Sequence, residues 1–230
     1  MPHQSWSISI LAYNESESLA RVVEEVYITL RSMPLSDFEV IVVDDGSTDK
    51  TREVLGELGK RFPDLILIRH ERNLGIGAAL KSGYVRAKME NVCAIPGDGQ
   101  FLVDLLAAAP TIPPRTVISF FRDDKKGYGI YRHIVSLSNR LLNSICFSLK
   151  VRDVNWVTIY KTSDLKDIEL KSDSPFLASE LLVKVLRKGV RIIEKPSPYI
   201  DRTAGVSKCS ALKNLLLSIE DFLKTIFCMG

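Results

Sequence analysis

The sequence predicts an α/β domain with a Rossmann-like, mainly parallel sheet flanked by helices on both faces. Three observations carry that prediction. Short apolar runs (Ser7 to Ala12, Glu39 to Val43, Leu65 to Ile68, Val92 to Ile95) alternate with stretches of helical periodicity, and such alternation implies right-handed βαβ units. The second run is almost purely β-branched, as suits a strand covered on both faces. At 230 residues, 46% hydrophobic and 26% charged, the chain is long enough to fill one core without disulfide or metal staples.

In order, SISILA at 7–12 reads as the first strand. Leu19, Val22, Val23, Val26, Leu30 and Met33 follow at helical spacing, with Asn14 and Glu17 placed as a capping pair. Asp44-Asp45-Gly46-Ser47-Thr48-Asp49 ends the second strand, and Lys50 to Phe62 reads as a helix. After the third strand and a turn at Asn73 to Gly77, the small residues Ala79, Gly83 and Ala87 give the next helix a face for close packing. Val92 to Ile95 then runs into Ala94-Ile95-Pro96-Gly97-Asp98-Gly99-Gln100-Phe101, a glycine-rich turn expected to expose one carboxylate and one amide beyond a strand end.

Beyond this turn the pattern predicts a helix at Phe101 to Ala109, a strand at Val117 to Phe121 ending in Arg122, and a charged loop at Asp123 to Gly129. An amphipathic helix at Ile130 to Lys150 follows, then a strand at Val154 to Tyr160, a helix at Phe176 to Arg187 and a strand at Val190 to Glu194. Arg132, Ser136, Asn139 and Arg140 share one helical face. Two cations there suggest a nearby anion or simply a solvated face, the latter favoured for Arg140.

Several function classes lack support. A net charge of +3 is too small to argue for nucleic acid. Cys93, Cys146, Cys209 and Cys228 have no metal or disulfide spacing, and a reducing compartment fits them best. Neither a leader peptide nor a run of roughly 18 apolar residues is visible, so the chain is expected to be neither secreted nor transmembrane by itself. Gly75-Ile76-Gly77 lacks the third glycine and the position of a dinucleotide fingerprint; no phosphate-cradling GxxxxGK[ST] loop or GxSxG elbow occurs. His3, His70 and His133 fall on no metal pattern and read as surface or capping residues.

The carboxylates are more informative. Tyr13 and Glu15 follow strand one, Asp44 and Asp45 strand two, and Asp98 and Gln100 a later strand, so three carboxyl ends are expected to converge on one crevice. A ring and carboxylates suit a nucleoside, which offers a face to stack and N–H and ribose hydroxyl donors.

Ser9-Ile-Leu-Ala-Tyr-Asn-Glu15, Val42-Val-Asp-Asp-Gly-Ser-Thr-Asp49, Arg72-Asn-Leu-Gly75, Gly97-Asp-Gly-Gln100 and Arg202-Thr-Ala-Gly-Val-Ser-Lys208 together resemble family-two GT-A glycosyltransferases of the dolichol-phosphate mannose synthase-like branch. The resemblance implies a GT-A domain over residues 1–210, and inverting transfer of a sugar from a GDP- or UDP-sugar to a polyprenyl phosphate. It assigns Ala12, Tyr13, Glu15 and Asp45 to the nucleoside, and Asp98 and Gln100 to a Mg²⁺ or Mn²⁺ ion and the diphosphate. Arg122, Arg132 and Ser136 would hold the acceptor phosphate, while Arg202 and Lys208 match a basic loop over the phosphates. Pro96 departs from the pattern, standing where the family has the first Asp of an Asp-x-Asp pair. Val154-Asn-Trp-Val157 replaces a glycine-containing turn after Asp153, leaving Trp156 to stack a sugar or fill the core.

Residues 211–230 carry an apolar stripe (Leu212, Leu215, Leu216, Ile219, Phe222, Leu223, Ile226, Phe227) interrupted by charges. They read as an amphipathic helix lying at a membrane interface or packed on the domain or a second subunit. Peripheral attachment at the cytoplasmic face follows from a lipid acceptor, with firm anchoring left to a homo-oligomer or a membrane partner. Two alternatives accompany this reading: a hydroxyl acceptor with Glu180 as base, and a catalytically silent nucleotide-sugar-binding subunit, for which the missing Asp argues.

Overall fold

The computed structural model describes residues 3–123, 143–147, 149–198, 200 and 217–223. In chain order it contains β1 (Ser5–Ala12), α1 (Leu19–Ser32), β2 (Asp37–Asp44), α2 (Thr51–Arg61), β3 (Ile66–Arg69), α3 (Ile76–Arg86) and β4 (Asn91–Pro96). A 3-10 turn (Val103–Leu106) follows, then β5 (Thr116–Arg122), β6 (Thr158–Lys161), α4 (Thr162–Leu165), α5 (Leu177–Arg187) and β7 (Arg191–Ser197). The seven described strands form one sheet in the order β3-β2-β1-β4-β6-β5-β7. All pairings are parallel except those of β6, which runs antiparallel to β4 and β5.

Strand alternation divides the interior into two cores. Trp6, Ile8 and Ile10 of β1 point to one face and meet Leu19, Val22, Val23, Val26 and Leu30 of α1. Each such side chain contributes about 1.5–3 kcal/mol by leaving water. Ser7 and Ser9, on the opposite face, are also buried. Their small size lets α3 approach, and a Cβ at Gly83 would collide with the Ser9 hydroxyl. Ile41, Val43, Val92, Val117 and Tyr160 form this second core with Leu181, Val183 and Val185 of α5.

Three local expectations are corrected. Phe101 to Ala109 is not an α-helix, because Val103, Leu106, Ala109 and Ile112 are all buried at a spacing of three, which suits a 3-10 turn rather than a 3.6-residue period. The strand expected from Val154 shortens to β6, since residues 154–157 belong to the turn that follows Asp153. Asn14 and Glu17 do not cap α1; its N-cap is Ser18, without a side-chain cap bond. Asn14 instead takes a left-handed conformation, φ 56°. Its N–H donates to Ser47 Oγ at 2.9 Å and its Oδ1 accepts from the Thr48 N–H at 2.8 Å. Of the helix expected over 130–150, residues 143–147 are helical and 124–142 lie outside the described residues.

Candidate functional site

Because β1, β2 and β4 are adjacent and parallel, the loops after them leave one edge of the sheet. Ala12 pairs with Asp44 and Leu11 with Pro96. The ladder continues into the loops, with Asp45 N–H on the Ala12 carbonyl at 2.9 Å and Gly97 N–H on the Leu11 carbonyl at 2.8 Å. Ala12, Tyr13, Glu15, Asp45, Asp98 and Gln100 are thereby carried on loops from a single edge. Ala12 is buried and Tyr13 and Glu15 are half-buried.

The Asp44–Asp49 segment shapes this edge through bonds within the protein. Asp44 Oδ1 accepts from Ser47 N–H at 2.9 Å, and Glu15 N–H donates to Thr51 Oγ1 at 2.9 Å. Asp49 accepts from the N–H groups of Thr51 at 2.9 Å and Ser16 at 3.3 Å. Burial pushes the Asp49 pKa upward, but the bonds from Thr51 and Ser16 outweigh it and hold the carboxyl below its ordinary value. Asp45 is similarly occupied. Its Oδ1 accepts from His70 Nδ1 at 2.7 Å and Leu74 N–H at 2.9 Å, and its Oδ2 from Gly75 N–H at 2.8 Å. His70 is therefore an internal link between β2 and α3 and not a surface residue; sequence pattern carried no signal for it.

The turn after β4 also differs from expectation, because Asp98 and Gln100 are buried, at 5% and 4% exposure. Ser18 Oγ donates to the Gly97 carbonyl at 2.8 Å, and Asp98 Oδ1 accepts from Gln100 N–H at 3.0 Å. Gly99 has φ 74°, a left-handed conformation that favours glycine, and faces the Arg21 guanidinium. Gln100 Nε2 donates to the carbonyl of Ile200 at 3.0 Å. The chain thus reaches this turn immediately before the segment holding Arg202 and Lys208.

Arg122, at the end of β5, grips Asp153 side-on: Nε lies 2.6 Å from Oδ2 and Nη2 2.9 Å from Oδ1. Its guanidinium also sits 4.5 Å from the centroid of the Trp156 ring. Trp156 in turn meets Phe101 edge-on, with centroids 6.1 Å apart. The indole is partly core, as one reading allowed, and it joins Arg122 to the turn after β4. Arg132, Ser136, Arg202 and Lys208 lie outside the described residues.

Glu180 was the base candidate for a hydroxyl acceptor, but its surroundings oppose that role. It is buried, accepts from Lys171 N–H at 3.0 Å and Ser172 N–H at 2.9 Å, and pairs with Lys184. Burial raises its pKa, yet these bonds prevail and hold it below the usual value, the wrong direction for a base near pH 7.

For a divalent ion, the turn offers the hard oxygen donor of Asp98, while Pro96 contributes none. Among the described residues no group of three or more His, Cys, Asp or Glu side chains could hold an ion. The donor set fits Mg²⁺ or Mn²⁺ only where a bound diphosphate completes the oxygen shell.

A mainly parallel sheet whose adjacent strand ends carry these loops defines a GT-A fold. Glycosyl transferase family 2 matches residues 7–133, more than half of the 230 residues, and the chain belongs to that family. A dolichyl-phosphate beta-glucosyltransferase of Trichomonas vaginalis is 33% identical over 102 residues, 43% of this chain and 32% of its own. The chain therefore spans about a third of the length of that relative. The dodecaprenyl-phosphate galacturonate synthase of Rhizobium johnstonii is 27% identical over 238 residues, 99% of this chain and 69% of its own.

Among solved structures, glucosyl-3-phosphoglycerate synthase from Mycobacterium tuberculosis, in complex with uridine diphosphate, shares the fold with a TM-score of 0.68. Its identity is 15%, over 97% of this chain and 80% of that one. A mannosyltransferase from Pyrobaculum calidifontis, in complex with GDP-Man and Mn²⁺, matches with a TM-score of 0.66 and 18% identity, over 100% of this chain and 64% of that one.

Proposed function

We propose that the protein transfers a sugar from a nucleotide-diphosphate donor, a GDP- or UDP-sugar, to a polyprenyl phosphate, with inversion at the anomeric carbon. The observation that carries this reading is the convergence of the β1, β2 and β4 loops at one edge, with Arg122 joined to them through Trp156 and Phe101. Support for the acceptor comes from the relatives, whose names place dolichyl and dodecaprenyl phosphates among their substrates.

In this mechanism the Ala12–Glu15 loop and Asp45 shape the nucleoside site, with Tyr13 offering a ring to the base. Asp98 is the chain's ligand to Mg²⁺ or Mn²⁺, with Gln100 beside it. When bound, the ion neutralises charge on the departing diphosphate. An oxygen of the acceptor phosphate forms the new bond to the anomeric carbon as the bond to the donor diphosphate breaks, releasing a nucleoside diphosphate. That oxygen is already ionised near pH 7, since the second pKa of a phosphate monoester is about 6, so no protein base is needed. Arg122, Arg132 and Ser136 orient the acceptor phosphate by charge-assisted hydrogen bonds, while Arg202 and Lys208 cover the donor phosphates.

No helix among the described residues is long and apolar enough to cross a membrane. The helical segment 217–223 docks on the domain: Phe222 meets Phe147 and Phe176 at 5.5 and 5.6 Å, and Asp221 accepts from Ser174 N–H at 3.2 Å. Ile219 and Leu223 remain exposed and suit a peripheral contact with the cytoplasmic face of a membrane, strengthened by a second copy or a membrane-anchoring partner.

The test is a thermal-shift panel of GDP- and UDP-sugars with Mn²⁺, followed by transfer to polyprenyl phosphate. A cognate donor stabilises the protein by mass action and supports turnover. Stabilisation without turnover in native membranes supports the silent-subunit reading, and neither response from folded protein overturns both.

A further inference from the structure

The proposed mechanism leaves His70 without a role, although it lies at the same sheet edge. Its side chain is 10% exposed and that of Asp45 5%. Three donors meet the Asp45 carboxylate: His70 Nδ1 and the backbone N–H groups of Leu74 and Gly75. An ionised carboxylate only accepts, so the proton of a neutral His70 ring sits on Nδ1 and Nε2 becomes an acceptor. Ser82 Oγ of α3, 2.9 Å away, then donates to Nε2. The His70 backbone is held as well, its N–H donating to the Asp44 carbonyl at 2.9 Å.

This relay controls the loop of residues 70–75. On one side Asp45 fixes the amides of Leu74 and Gly75. On the other the Arg72 backbone lies directly over Gly46, where φ is 68° and any Cβ would collide with it. The loop is thus set against the end of β2, whose neighbours in the sheet are β1 and β3. Without His70, Asp45 Oδ1 loses its side-chain donor and the carboxylate can rotate away from the two amides.

We propose that His70 is a positioning residue for the nucleotide part of the donor, acting through Asp45 on the 72–75 loop, with Ser82 donating to Nε2 of the tautomer that Asp45 selects. The proposal rests on the donor-site reading above. Its consequence is a split in kinetics, with donor KM raised more than kcat is lowered, because the bonds of the relay run to the 72–75 loop and to α3.

The experiment compares wild type with His70→Phe in two ways: amide hydrogen exchange at Leu74 and Gly75 without ligand, and calorimetric binding of UDP and GDP with Mn²⁺. Exchange at both amides rises, while β1 and β4 stay protected, and nucleotide affinity falls about tenfold or more, the scale of a hydrogen bond to a charged group. Unchanged exchange at 74 and 75, or unchanged nucleotide affinity despite faster exchange, overturns the proposal. Wild-type protein that binds neither nucleotide contradicts the donor reading itself, and the exchange result then decides whether His70 anchors the loop. Should His70→Phe fail to fold, Ser82→Ala gives the same readouts with smaller shifts in the same direction.

Discussion

The two halves of the sheet edge are built differently. On the β1–β2–β4 side, several bonds between loops share the load, with Asn14 on Ser47 and Thr48, Glu15 on Thr51 and Ser18 on Gly97. On the β5–β6 side a bidentate ion pair, Arg122 with Asp153 backed by the Trp156 ring, stands beside bonds from Arg152 N–H to Glu194 at 2.7 Å and from Asp123 N–H to the Ser197 carbonyl at 3.0 Å. A distributed network tolerates the loss of one member better than a single buried ion pair does. The half proposed to hold the donor is accordingly expected to be robust and preformed, and the half proposed to hold the acceptor sensitive to one substitution.

The largest expected effect bears on the chemistry common to both halves. Asp98→Asn removes the carboxylate proposed to hold the divalent ion and should lower turnover at least about a hundredfold, with little change in melting temperature; steady-state kinetics and a thermal melt read both. Next, Asp153→Ala removes the carboxylate that meets Arg122 Nε and Nη2 and should cost about 3 kcal/mol of stability, measured by denaturant unfolding. Asn14→Ala on the other half should cost about 1 kcal/mol, and equal losses would erase the contrast.

Glu180 gives a smaller effect with a defined pH sign. Although burial raises its folded pKa, Lys184 and the bonds from Lys171 and Ser172 outweigh burial and hold it below the ordinary carboxylate value, so its contribution to stability is complete above the unfolded pKa and is lost as pH falls through the folded one. Glu180→Gln should therefore narrow its stability deficit relative to wild type on acidification, in melts from pH 7 to 3, while activity at pH 7 in folded protein persists. Smallest is Pro96→Asp. A second carboxylate should tighten Mn²⁺ binding in the absence of donor, measured by calorimetry, and no change would show that position 96 does not reach the ion.

The same contrast explains what could be read from the chain. The donor half was legible because its strands are continuous apolar runs and its loops hold polar residues in a recognisable order. What remained hidden were the partners of those residues. Asp45 reads as a ligand-facing carboxylate, but its bonds go to His70, Leu74 and Gly75, which lie 25 to 30 residues away, beyond any local pattern. Gln100 reads as exposed, yet a carbonyl 100 residues later covers its amide. On the other half, Trp156 and Arg122 come together only through the antiparallel insertion of β6 between β4 and β5. At Phe101 to Ala109 the apolar residues read as a helix, and only their burial at a spacing of three reveals the 3-10 turn.

The central claim is that the acceptor is a phosphate already ionised at neutral pH, whose oxygen attacks the anomeric carbon without help from a protein base. The most direct measurement offers the protein, its cognate nucleotide sugar and Mn²⁺ either a polyprenyl phosphate or the polyprenol of the same chain length. The account predicts glycosyl transfer to the phosphate and none to the alcohol; equal transfer to the alcohol would contradict it.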